Sequence, residues 1–265
     1  MELAPPSASD LMLDFLVTAD RSRLTVQELC RGGAAMGFNE TVVRVALTRL
    51  VQQHKIRKVE RGTYAVHPSY RPVQEDVGHW LDRLGWMIAW RGRWIAVHDP
   101  VMTRVSQTHL RRHRRALALR GFRTWMPNLH LRPDNLRGGI EAMRFQLREL
   151  GLLDRSQVFA AGRFTEQQLS EVMKLWDVPT LRATYSKLLQ LIEKSEKSIR
   201  RHNAISAAKE TMLLGRHVIS QIVRDPLLPS EMIEDSERHL LVDRMRAYQA
   251  NSKIIWARVL GLTDS

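Results

Sequence analysis

One apolar stripe constrains this chain more than any other feature. Val43, Ala46, Leu47, Leu50 and Val51 follow the i, i+3, i+4, i+7, i+8 spacing of a single buried helix face. A helix is therefore expected from Asn39 to about His54, with Asn39 as its N-cap. At about 100° per residue, Thr41, Val45, Thr48 and Gln52 fall on the opposite face, flanked by Arg44 and Arg49. Small polar groups with basic borders suit a DNA major groove: Thr and Gln reach base edges or a thymine methyl, and Arg takes a guanine edge or a phosphate. The other reading is a solvated face that touches no partner.

The flanking residues extend the pattern. A short helix is expected over Ser9–Val17. Thr25-Val26-Gln27-Glu28 fits a capping box that opens a second helix to about Ala35. Met36–Asn39, with Gly37 free to adopt left-handed dihedrals, then reads as a tight turn, giving helix, turn, helix. Beyond the stripe, Ile56-Arg57-Lys58-Val59 and Thr63-Tyr64-Ala65-Val66 alternate as two short strands around Glu60-Arg61-Gly62, a wing with Arg61 at its tip.

Charge separates this module from the next. The chain of 265 residues carries a net charge of +13, yet residues 1–67 hold only 9 basic against 7 acidic residues. Residues 91–150 hold 13 basic against 4 acidic, a net +9. A 44 % hydrophobic composition excludes disorder as the global description. No apolar run nears the ~18 residues of a membrane span, and the N-terminus lacks the basic-then-apolar pattern of an export signal, so a cytoplasmic protein without membrane partners is expected. The single cysteine, Cys30, offers neither a disulfide nor a metal cluster.

After a Trp-rich linker (Trp80, Trp86, Trp90), Arg93–His98 reads as a strand and Ser106–Arg120 as a basic helix ended by Gly121. Phe122–Leu131 follows as a strand or hairpin, Leu136–Leu150 as a helix and Gln157–Ala161 as a strand, the order of a ferredoxin-like unit. Arg111, Arg112, Arg114 and Arg115 suit phosphates, of DNA or of a nucleotide-bearing effector, but equally a solvated helix face. His109 and His113 stand four apart without an evident third ligand, so no metal site and no cofactor are expected. Asp99, before Pro100, reads first as a turn former and second as a magnesium ligand.

The last third reads as helical. A capping box at Thr165–Gln168 opens a helix through Trp176, Asp177-Val178-Pro179-Thr180 interrupts it, and a long helix carries Leu181, Tyr185, Leu188, Leu189 and Ile192. Two further helices are expected over Ala204–Val223 and Glu234–Leu260, separated by the prolines of Asp225–Pro229. Long late helices with apolar faces suggest a homodimer. No nucleophile elbow, phosphate-binding glycine loop or H-E-x-x-H motif is present, so no enzyme activity is expected.

Arg44-Val45-Ala46-Leu47-Thr48-Arg49-Leu50-Val51, Leu175-Trp176-Asp177-Val178-Pro179-Thr180-Leu181 with Tyr185, and Arg224-Asp225-Pro226-Leu227-Leu228-Pro229 together resemble the PaaX family of bacterial transcriptional repressors over nearly the whole chain. The resemblance implies a dimeric repressor that binds a double-stranded DNA operator and is released by an effector such as an acyl-coenzyme A thioester. Where that family closes its recognition helix with glycine, this chain has His54-Lys55. The middle segment is also similar to small CRISPR adaptation nucleases, whose acidic residue follows the first strand where Asp99 stands.

The expectation is thus an α+β, mainly helical protein. It comprises a winged helix-turn-helix domain (1–70), a linker (71–92), a ferredoxin-like domain (93–164) and a helical C-terminal domain (165–265). DNA contacts are expected from Asn39, Thr41, Arg44, Val45, Thr48, Arg49, Gln52, Arg57, Lys58 and Arg61, and effector or phosphate contacts from Arg111, Arg112, Arg114 and Arg115. A metal-dependent nuclease or other nucleic-acid-binding protein using the ferredoxin-like domain is the alternative.

Overall fold

Side-chain caps set the first helices. In the structure, a computed structural model that describes residues 5–18, 23–70, 78–100 and 105–262, helix α1 spans Ala8–Thr18, α2 spans Val26–Ala35 and α3 spans Glu40–Gln52. Thr25 caps α2 in a full capping box: its hydroxyl accepts from the Glu28 amide at 3.2 Å and the Glu28 carboxylate accepts from the Thr25 amide at 2.6 Å. Asn39 caps α3 by accepting from the Val42 amide at 2.9 Å. Gly33 lets α2 approach α3, since a Cβ there would lie 2.4 Å from a Val43 methyl.

The end of α3 answers the departure seen at His54. Lys55 N–H donates to Leu50 C=O and His54 N–H to Val51 C=O, both at 3.0 Å, with His54 at φ +52°. This is a Schellman motif whose left-handed residue is histidine instead of glycine. Strands β2 (Ile56–Glu60) and β3 (Thr63–Val66) then form a hairpin with an irregularity between Lys58 and Glu60, and β1 (Leu24–Thr25) pairs with β3 to give the order β1-β3-β2.

Among the described residues the protein is mainly helical with two small antiparallel sheets. It folds as two units: residues 1–79, 187–220 and 241–265 form unit 1, and residues 80–186 and 221–240 form unit 2. Residues 165–265 are thus divided between both. Residues 71–77 of the expected linker lie outside the described residues. The rest of it includes short 3-10 turns at His79–Leu81 and Arg83–Trp86, with Trp80 buried.

Unit 1 builds its core from the far ends of the chain. Leu11, Met12, Phe15 and Leu16 of α1 join Leu29, Val43, Leu47, Leu50 and Ile56, and with them pack Ala208 of α8 (Ala204–Arg224) and Trp256 and Leu260 of α9 (Ser236–Leu260). The rings of Phe15 and Trp256 are 4.9 Å apart. Burying a side chain such as Leu260 contributes ~1.5–3 kcal/mol, so the C-terminal helix is a substantial part of this module's stability.

Unit 2 holds the second sheet. Strands β4 (Trp94–His98), β5 (Arg123–Met126), β6 (Leu129–Pro133) and β7 (Gln157–Ala161), with helices α4 (Gln107–Leu119) and α5 (Gly139–Leu150), follow the order βαββαβ and pair antiparallel as β5-β6-β4-β7. Ile95 and Val97 of the central strand meet Ala116 and Leu117 of α4 and Met143 and Leu147 of α5. On the opposite parity, Trp94 lies 6.1 Å from Trp176 and 6.0 Å from Phe164.

Helix α6 (Glu166–Met173) ends three residues before Trp176, and α7 (Val178–Ile199) begins earlier than the sequence pattern suggests. Pro179 sits in the first turn of α7, where its missing N–H costs nothing. Asp177 accepts from the Thr180 amide at 3.0 Å and starts the helix.

Candidate nucleic-acid interface and buried Asp–His cluster

The packing of α3 decides which of its side chains are free. Val43, Ala46, Leu47 and Leu50 are buried, which leaves Thr41, Arg44, Val45, Thr48, Arg49 and Gln52 exposed. Val45 is 63 % exposed in the middle of that face. The Thr48 hydroxyl donates to the Arg44 carbonyl at 3.0 Å, so its oxygen is left as an acceptor. Arg44 donates through Nε to Glu40 at 2.7 Å, a neighbour one turn earlier that the sequence reading passed over. On the β2–β3 hairpin, Arg57, Lys58 and Arg61 are all exposed. In unit 1, then, the ten predicted DNA-contact residues are all solvent-facing, with Asn39 committed through Oδ1 to its cap.

In unit 2, Arg111, Arg112, Arg114 and Arg115 are exposed on α4, and among the described residues none pairs with a carboxylate. The two histidines of this helix part company. His109 meets Ser106 at 3.0 Å on the surface, whereas His113 is 2 % exposed and turns toward the sheet.

There it meets Asp99, at the end of β4. One carboxylate oxygen, Oδ2, lies 2.9 Å from Nε2 of His113 and 2.9 Å from Nε2 of His130 on β6, and Oδ1 accepts from the Ser156 hydroxyl at 2.6 Å. The Leu153 amide donates to His113 Nδ1 at 3.3 Å, which assigns that ring's proton to Nε2, facing the carboxylate. His130 Nδ1 meets the Thr124 hydroxyl at 2.9 Å. Burial works to raise the Asp99 carboxyl, but hydrogen bonds from His113, His130 and Ser156 outweigh it and hold the group well below the usual carboxylate range.

Sequence reasoning paired His113 with His109 and placed Asp99 in a turn, so it missed this cluster. The available signal was the stripe His113, Ala116, Leu117 and Arg120 along α4, all buried. Beside it, the register pairs His130 with Val97 and Arg132 with Ile95, which puts two polar side chains on the parity of the helix-covered core. Arg132 donates to Pro133 O at 2.9 Å, Asn135 Oδ1 at 2.8 Å and Arg120 O. Burial, with Arg120 and Arg83 nearby, pushes its guanidinium down to about 9.

No protein-family model matches the chain, and no curated protein matches it at a significant level. Among solved structures it is similar to the uncharacterized protein Rv0674 from Mycobacterium tuberculosis, with 19 % identity and a TM-score of 0.64 over 97 % of this chain and 98 % of that one. The likeness is one of fold. No helix among the described residues is long and apolar enough to cross a membrane.

Proposed function

We propose that the protein is a DNA-binding transcriptional regulator, a dimeric repressor released from its operator by a small-molecule effector. The observation that carries this reading is the outward face of α3. A valine 63 % exposed at the centre of a helix otherwise lined by Thr, Gln and Arg is an unfavourable surface in water, and it fits a thymine methyl in a major groove. The hairpin of β2 and β3 is the wing of a winged helix, with Arg57, Lys58 and Arg61 set for phosphates. The βαββαβ unit is read as ferredoxin-like.

Ile205 and Ile254 of unit 1, each more than half exposed on α8 and α9, favour self-association. The four α4 arginines favour an anionic effector, an acyl-coenzyme A thioester foremost, or a second run of DNA phosphates. A magnesium nuclease is less well supported, because Asp99 is 3 % exposed and faces two imidazoles and a hydroxyl instead of further carboxylates.

Fluorescence anisotropy with DNA from upstream of the protein's own gene tests the reading. Replacing Arg44 and Arg49 together by Ala should weaken binding by at least ~1–3 kcal/mol. Equal affinity of this variant and the wild type would refute it. Loss of binding on adding one member of a panel of acyl-coenzyme A thioesters would support the effector assignment, and indifference to every member would remove it.

A further inference from the structure

We propose that Asp99, His113 and His130 form a site for a divalent transition-metal ion, zinc foremost. This goes beyond the DNA-binding reading and stands independently of it. One donor atom from each of the three side chains lies within 4.8 Å of the other two, and Asp99 Oδ2 stands 2.9 Å from Nε2 of each histidine. A tetrahedral zinc with bonds of about 2.0–2.2 Å spaces its ligand atoms roughly 3.3–3.5 Å apart. Opening each contact by about half an ångström therefore makes room for the ion.

The chemistry of the donors selects the metal. Two imidazole nitrogens and one carboxylate oxygen suit zinc, cobalt or nickel, while magnesium and calcium need mostly oxygen. The three side chains come from the end of β4, from α4 and from β6, so sheet and helix fix their positions. Their outer partners are those a metal site uses. Ser156 holds the second oxygen of Asp99, and Thr124 holds Nδ1 of His130 through a hydroxyl that accepts a proton as readily as it donates one. His130 is 17 % exposed at its side chain beside exposed Thr124, which gives an ion a way in.

One contact must change. Metal on His113 Nε2 displaces its proton to Nδ1 of the same ring, where the Leu153 N–H now donates. That turn has to rearrange. A single long hydrogen bond between neutral groups is small against three metal–ligand bonds.

The test uses the full chain without a histidine tag, stripped with chelator and titrated with cobalt(II). The expected result is about one equivalent bound with the intense visible absorption of four-coordinate cobalt, displaced by zinc and unaffected by magnesium. His130→Gln and His113→Gln should each abolish the band, whereas His98→Gln and His109→Gln should keep it. On loading, the Leu153 amide should exchange with deuterium faster. Absence of the band in the wild type, or a band that survives His130→Gln, overturns the site. If those variants do not fold, X-ray absorption on the wild-type cobalt complex decides: two imidazoles per metal are expected, and any other number refutes the proposal.

Discussion

The Tyr185 hydroxyl donates to Oδ2 of Asp225, across 40 residues of chain and within unit 2. Oδ1 of the same carboxylate accepts from the Leu227 amide at 2.7 Å, and Arg238 stands 3.6 Å away. Beside this pair Gly121, at φ +73°, leaves no room for a Cβ, which would lie 2.7 Å from the Pro226 carbonyl oxygen. The Trp176 indole donates to Gly121 C=O at 3.1 Å. The Leu175–Leu181 stretch with Tyr185 and the Arg224–Pro229 stretch thus meet as a buried clamp.

Removing the Tyr185 hydroxyl should cost stability and leave the proposed DNA-contact residues alone. Burial, then the adjacent Asp225 carboxylate, push this phenol far above its usual range, which favours the protonated, donating hydroxyl. Tyr185→Phe deprives a buried carboxylate of one of its hydrogen bonds, and ~1.5–3 kcal/mol should be lost in urea unfolding. An unchanged midpoint would mean that Arg238 closes on Asp225 without penalty.

His54 offers the opposite sign. A residue with a Cβ pays about 1 kcal/mol or more for the left-handed conformation that glycine adopts freely. His54→Gly should recover ~0.5–1 kcal/mol, visible as a rise in the thermal midpoint of the protein.

Alkaline pH should destabilise the fold through Tyr248. Burial, partly offset by its hydrogen bond to Ser195, leaves its phenol pushed up to about 12. An unfolded tyrosine ionises near 10, so between pH 10 and pH 12 the unfolded chain binds fewer protons than the folded one. The contribution is whole below pH 10 and falls by ~2–3 kcal/mol as pH rises through that window. Tyr248→Phe should flatten the dependence in urea melts taken from pH 8 to pH 12, at the expense of a lower plateau where Ser195 loses its partner.

Glu40 should restrain DNA binding. Its carboxylate holds Arg44 on the surface of α3 and brings negative charge to the proposed DNA face. Glu40→Gln should tighten binding to random duplex and narrow the ratio between operator and random affinity. Arg49→Ala should lower the slope of log K against log salt by ~1 if that guanidinium meets a phosphate. Anisotropy at several salt concentrations reads both.

Local chemistry was legible in the sequence. Caps at Thr25, Asn39 and Thr165 each accept from the backbone amide three residues on, so a short string of letters carries the whole interaction. β7 follows the expected bounds because residues 157–161 lie between a helix end and a capping signal. The Asp99 cluster was not legible, since residues 99, 113, 130 and 156 meet only through strand register and helix rotation. The arginines around His113 also disguised an inward-facing position as part of a charged run. Nothing local says whether Trp256 packs on Phe15 or on its own neighbours.

That last contact sets a schedule for synthesis. Helices α1 to α3 and the β2–β3 hairpin of unit 1 leave the ribosome early, but their core includes Trp256 and Leu260. At ~5–20 residues per second, the ~190 residues between Val66 and Trp256 take roughly 10–40 s to make. For that interval the nascent module lacks the indole that packs on Phe15, and a premature stop late in the message leaves its core without Trp256 and Leu260.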